Sequence, residues 1–330
     1  MGFRGTEDLG GGLYAGFDLQ TGALDTSNGN PGLAFSRESV LKLGSKNWGE
    51  LKFGRTVSTA CAIGCSFDYN YIGAGNAAAL TGLSPASFGG SSRRSDLIEW
   101  KSLPVGGFTG YFSVQQRGDQ NTDGTFATSG GASYTTTSTL SGTSTTVSDY
   151  KNRVTIGGVY ASGPMRIAAF SESVSSNSPS LRAASMLAVE YNFGAFTANV
   201  QSNVNPNKVT YTDAGGTATS QVGKYALSTA AGTSTYGKGT VLGVKAPFGN
   251  TTVGVQHANN SETRVKATEL FAQYALSKRT AIYAYSTRLT GTAAVSATAV
   301  TSTYTTVNQL MTGAIAINPS IYAVGIRHTF

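Results

Sequence analysis

Apolar and polar residues take turns along most of this chain, and the clearest run flanks the polar turn Ser277-Lys278-Arg279. Before it, Leu270, Ala272, Tyr274 and Leu276 fall on one side of a period-two pattern, with Glu269, Phe271, Gln273 and Ala275 on the other. After it, Ala281, Tyr283 and Tyr285 share a side, opposite Thr280, Ala284 and Ser286. A repeat of two means strands, and two such runs about a short turn mean a hairpin. The apolar face carries tyrosines near its ends, where an amphipathic ring suits a membrane interface. The other face is too polar for a dry core. The pair reads as strands with lipid on one side and a wet lumen on the other.

The unit recurs along the chain. Tight turns are expected at Glu7-Asp8-Leu9-Gly10-Gly11, Lys46-Asn47-Trp48-Gly49, Pro104-Val105-Gly106-Gly107, Ser162-Gly163-Pro164, Asn192-Phe193-Gly194 and Pro247-Phe248-Gly249-Asn250. They alternate with long polar connections, and residues 117–149 form a Thr/Ser/Gly-rich segment with no strong period. Short turns on one side and long loops on the other are the signature of an outer-membrane barrel. In the last strand Tyr322, Val324, Ile326, His328 and Phe330 share one face, against Ala323, Gly325, Arg327 and Thr329. About fifteen strands are expected from Met1 onward. Single-chain bacterial barrels hold an even number, so sixteen is the expected norm, with one strand missing at the N-terminus.

Composition narrows the class. Charged residues make up 12%, against about 25% in ordinary soluble domains, and glycine is abundant at 42 residues. No apolar run approaches the ~18 residues of a membrane helix. A spanning chain without such helices must close into a barrel to satisfy its backbone in lipid. No secretory leader precedes GFRGTEDLGGG, so the sequence reads as a mature form or one whose start is missing. The formal charge of +7 suits either solubility and acidic lipid head groups or a pore that favours anions. The basic residues are scattered, unlike a nucleic-acid surface. Cys61 and Cys65 are too few for a closed metal site. A local disulfide is expected in an oxidising envelope compartment, two free thiols being the alternative. No metal or cofactor is expected.

Four stretches resemble the trimeric general porins of Gram-negative outer membranes: Gly2-Phe3-Arg4-Gly5-Thr6-Glu7-Asp8-Leu9-Gly10-Gly11-Gly12-Leu13, Trp48-Gly49-Glu50-Leu51-Lys52-Phe53-Gly54-Arg55, Leu276-Ser277-Lys278-Arg279-Thr280 and Val324-Gly325-Ile326-Arg327-His328-Thr329-Phe330. Each is weak alone; in this order they carry weight. The resemblance implies one all-β, sixteen-stranded transmembrane antiparallel β-barrel domain over residues 1–330, assembled as a homotrimer. It also implies a third external loop, residues 56–92, folded into the lumen as a constriction. By motif position Arg93 and Arg37 match basic constriction residues, with Arg55 a weaker third and Asp68 the acid on the loop. Gln20 stands where family members can carry an acid, which favours the anion reading.

Phase separates these candidates. Arg93 alternates with Glu99 and Lys101, placing all three toward the lumen as pore-lining residues, whereas Arg37 and Arg55 share phase with Leu41, Leu43, Leu51 and Phe53. The expected function is an outer-membrane pore for passive diffusion of small hydrophilic solutes, preferring inorganic or organic anions. A substrate-specific channel is the alternative. A barrel hydrolase would have only His257 and His328 as imidazole bases, and no G-x-S-x-G motif frames a serine, so a non-enzyme is expected.

Overall fold

The computed structural model describes residues 2–21, 35–70, 76–85, 93–116, 133–137, 144–148, 152–173, 184–204, 238–261, 265–295, 313–317 and 320–328. Met1, Tyr71 and Phe330 lie outside the described residues. The chain runs β1 (Gly2–Gly10), β2 (Leu13–Gln20), β3 (Glu38–Ser45), β4 (Gly49–Val57), then α1 (Thr59–Gly64), a 3-10 turn (Cys65–Phe67) and α2 (Ala77–Leu80). It continues with β5 (Arg93–Lys101), β6 (Phe108–Gln115), β7 (Ser133–Thr137), β8 (Ser144–Ser148), β9 (Arg153–Ser162), β10 (Met165–Glu172), β11 (Ala184–Asn192) and β12 (Thr197–Val204). The last strands are β13 (Gly239–Phe248), β14 (Thr251–Asn260), β15 (Lys266–Ala275), β16 (Thr280–Val295), β17 (Gly313–Ile317) and β18 (Ser320–His328).

All but β7 and β8 join one antiparallel sheet in chain order, β6 pairing with β9. The long β16 pairs with β18 over Thr280–Arg288 and with β17 over Gly291–Val295. The latter two therefore occupy one position, and the sheet is fifteen strands wide among the described residues. β1 and β18 stand at the two ends of the pairing order. β7 and β8 pair only with each other, so the segment expected to lack a period contains a hairpin. The first strand also outruns its expected end: β1 continues through Glu7 and Asp8, and the chain turns at Gly11-Gly12 instead. Both glycines there have positive φ, 60° and 81°, a conformation that costs other residues steric strain.

Burial follows the period of two. Phe17, Leu41, Phe53, Ile156, Leu270 and Val324 are exposed on the outer face. On the opposite face Glu99, Glu172, Gln201, Gln256 and Glu269 are buried. Greasy outside and polar inside inverts a soluble protein and fits a strand wall between lipid and lumen. Tyr191, Phe193 and Phe196 cluster at one short turn, with successive ring centroids 4.7 Å apart, as in an interfacial aromatic girdle. The outward face of Leu270 and Tyr274 agrees with the sequence reading, as does the outward row of Tyr322, Val324 and Ile326. Tyr283 and Tyr285 do not fit it as interface residues. They pair with Gln273 and Phe271 on the inner alternation and stack on each other 6.4 Å apart. Their neighbour Ile282 is the exposed one.

The sheet wraps around part of its own chain. Residues 58–70 and 76–85, between β4 and β5, meet inner-face residues of β5, β6, β10 and β12–β15. No flat sheet could present so many strands to one short segment.

Candidate functional site

The inward segment is built to dock. Ser58 caps α1 by accepting from the Cys61 amide at 3.3 Å, and Asn76 caps α2 by accepting from the Ala79 amide at 2.9 Å. Each cap satisfies a donor that the helix start leaves orphaned. Ala60, Ile63 and Phe67 pack against Ala168, Phe170, Ala184, Met186 and Ala188. Farther along, Ala77, Ala78 and Leu83 pack against Val241, Ala258, Val265, Ala267 and Leu289. Small wall residues leave room for the segment. Burying a side chain such as Ile63, Phe67 or Leu83 contributes about 1.5–3 kcal/mol. Cys61 and Cys65 are joined in a disulfide across one turn of this helical stretch.

Polar contacts fix the register. Gln201 and Asn203 both donate to the Leu83 carbonyl, at 2.7 and 2.6 Å, and Asn260 donates to that of Thr81 at 2.8 Å. Asn199 donates to the Phe67 carbonyl. Gln256 accepts from the Tyr69 amide at 3.1 Å and donates to Asp68. Glu269, fully buried, accepts from the Asn70 side chain and from the Ala77 amide. At the β5 end, the Thr59 hydroxyl bridges Glu99 at 2.6 Å and Ser113 at 2.7 Å.

Asp68 is therefore placed differently from the sequence expectation. It lies in the seam between segment and wall, 4% exposed, accepting from Asn76, Ser84 and Gln256. Burial raises its carboxyl above the ordinary aspartate value, against the lowering effect of those hydrogen bonds. A carboxylate so enclosed anchors the segment and does not face an open passage.

The arginines are also rearranged. Pairing of β4 with β5 slips between Gly54↔Leu97 and Thr56↔Arg94, and Asp96 has a φ of 55°. This β-bulge inserts one residue and reverses the alternation above it. Arg94, 1% exposed, takes the inward position opposite Thr56, beside the carboxylate of Glu172, which it shares with Arg153. Arg93 pairs with Val57 on the other alternation. Its Nη1 donates to Glu38 and to the Arg37 carbonyl, both at 2.9 Å. That bulge takes Arg93 out of the phase it shares in the sequence with Glu99 and Lys101. Arg37 sits exposed just before β3, and Arg55 donates to the Ser36 carbonyl and the Ser95 hydroxyl. Glu99 is buried on the inner face and Lys101 is exposed above the Tyr111 ring.

The wall that the segment leaves uncovered carries charges that sequence reasoning passed over. Lys42 and Lys52 face each other across β3 and β4. Like charges directly opposite repel. Acids flank them: Asp18 lies 3.7 Å from Lys42, while Glu99 and Glu50 lie 3.6 and 3.9 Å from Lys52. Arg4 stands opposite Asp18 in the register of β1 with β2. The signal was present, since Lys42 alternates with Leu41 and Leu43, and Lys52 with Leu51 and Phe53.

A second group lies near the short turns, under the segment. Arg166 donates to Glu190 at 2.9 Å and to the Ser66 hydroxyl at 2.8 Å, its guanidinium 4.8 Å from the Phe67 centroid. The Lys245 ammonium lies 4.1 Å from the centroid of Tyr69. Burial, then the charge of Glu190, pushes the Tyr69 phenol well above its ordinary value, so it stays neutral.

Comparison with known proteins agrees with this architecture. The family model for Gram-negative porins matches residues 1–294. An outer membrane porin protein of Bordetella pertussis is 36% identical over 110 residues, covering 32% of this chain and 28% of that protein. Outer membrane porin protein 32 of Delftia acidovorans is 36% identical over 120 residues, covering 34% and 32%. The matched stretch thus spans less than a third of either relative. Among solved structures, an anion-selective porin from Comamonas acidovorans superposes with a TM-score of 0.61 at 24% identity, covering all of this chain and 88% of that one. OmpF of Salmonella typhi, in complex with daunomycin, gives 0.56 at 11% identity over 87% and 81%. The fifteen-strand wall, the lipid-facing alternation and the match over most of the chain lead to one conclusion: this chain belongs to the Gram-negative porin family of the outer membrane.

Proposed function

We propose that the chain forms a water-filled passage through the outer membrane for passive diffusion of small hydrophilic solutes, with a preference for anions, and that it works as a homotrimer. The observation that carries the reading is the division of the inner wall. Residues 58–70 and 76–85 cover the wall from β5 and β6 round to β15, which leaves the β1–β4 side, with Lys42 and Lys52, as the charged bank of a narrowed passage. Residues 56–92 are on this reading the constriction loop. Ammonium groups at a narrow point with low-dielectric walls raise the local concentration of anions; the flanking acids temper this field, and the net charge of +7 favours the same sign. The Comamonas neighbour is named an anion-selective porin, which supports the same sign, and membership of the porin family supports the trimer.

Reversal potentials in a potassium chloride gradient across planar bilayers test it. The unaltered protein is expected to show the sign of anion preference, and Lys42→Glu with Lys52→Glu to reverse it. A reversal potential that does not respond to the double substitution sinks the assignment of selectivity to this bank.

A further inference from the structure

We propose that the short-turn side of the inward segment holds a binding site for a small oxyanion, a carboxylate or a phosphate, built on Arg166 and Lys245. This goes beyond passive diffusion: it is a saturable station below the constriction, separate from the Lys42–Lys52 bank.

Four strand ends place it. Arg166 is the second residue of β10, Glu190 is opposite it near the end of β11, and Lys245 pairs with Thr197, the first residue of β12. All therefore lie near the short turns, and Ser66, Phe67 and Tyr69 of the segment roof them. Gly243 brings the roof down. A Cβ there would fall 2.9 Å from the Tyr69 ring, so only glycine admits the ring against the wall.

Charge decides the ligand. Two cations meet a single carboxylate, and Arg166 already takes Glu190. Among the described residues Lys245 makes no ion pair; its contact is the neutral Tyr69 face, which holds an ammonium without neutralising it. Arg166 is held by Glu190 on one nitrogen and Ser66 on another, with its plane over Phe67. That side chain is about one-third exposed (35%). A guanidinium has five donors in a fixed fork, and those not used here suit a planar or tetrahedral oxyanion. The site is pre-organised, net positive and open to water on one side.

Equilibrium dialysis of radiolabelled inorganic phosphate against detergent-solubilised protein at low ionic strength tests the site without any current measurement. Saturable binding is expected, displaced by acetate. Loss of one charged contact by Arg166→Gln or by Lys245→Gln should weaken it about tenfold. Lys245→Gln removes no ion pair among the described residues and so keeps the fold. Lys42→Gln with Lys52→Gln should leave the affinity within about twofold while altering ion preference in bilayers, which separates this site from the selectivity proposed above. Absence of saturable binding, unaltered affinity in Lys245→Gln, or loss of affinity in the Lys42/Lys52 variant overturns the proposal.

Discussion

Two stretches of the same inner wall face the inside with different chemistry. On β12 and β14, where the segment docks, the inward polar residues are mainly amides: Asn199, Gln201, Asn203, Gln256 and Asn260. On β2 to β4, which the segment leaves open, they are charges, including Asp18, Lys42, Glu50 and Lys52. Amides satisfy the backbone carbonyls of an irregular chain without bringing a net charge into a dry seam, where an unpaired ion would cost several kcal/mol. Charges persist where water can solvate them or where opposite charges alternate. One strand period thus encodes two surfaces, a dock and a bank. The identity of the polar residue, more than its phase, tells them apart.

The contrast is broken most severely at Glu269, a wall carboxylate that accepts from both a side chain and the backbone of the segment. Glu269→Ala leaves buried donors on Asn70 and Ala77 without that acceptor. It should loosen docking by about 2–4 kcal/mol, read as faster hydrogen exchange across residues 58–85 and larger current fluctuations in bilayers. Unaltered exchange would mean the apolar clusters alone hold the segment.

A smaller effect is expected from pH. The Asp68 carboxyl is raised by burial. Its contribution to docking is complete below the ordinary aspartate value and is lost as pH rises through the raised one. Glu269 and Glu99 also face the segment and are left in place by Asp68→Asn, which isolates the Asp68 contribution. Exchange in the segment, corrected for intrinsic rates, should slow as pH falls from neutral, and this variant should show a weaker dependence. An unchanged pH profile would remove Asp68 from the account.

The smallest effect is expected at Arg93. A partly exposed pair such as that with Glu38 contributes about 0–1 kcal/mol, and the bulge places the residue off the inward alternation. Arg93→Gln should shift the reversal potential less than the Lys42/Lys52 substitutions do. A shift as large would restore Arg93 as the dominant charge.

The same residues mark how far the amino-acid pattern is legible. The lipid face of Leu270 and Tyr274 followed from alternation alone, and so did the off-phase placement of Arg37 and Arg55. The bulge at Asp96 did not, because a slipped register is a property of two strands and alternation is read along one. Docking had a legible trace: β11 is apolar on both faces, with Ala184, Met186 and Ala188 inside and Leu187 outside. A wall facing only water would not need that. The partner of those inner residues lies more than a hundred positions away, and nothing in the local pattern names it.

Water-soluble thiol reagents provide the most direct test of the divided wall, since both native cysteines are in the disulfide. Lys52→Cys on the bank should react readily and change the channel current, while Gln256→Cys, fully buried under the segment, should stay protected until the protein is unfolded. Rapid labelling at position 256 together with protection at position 52 would contradict the account.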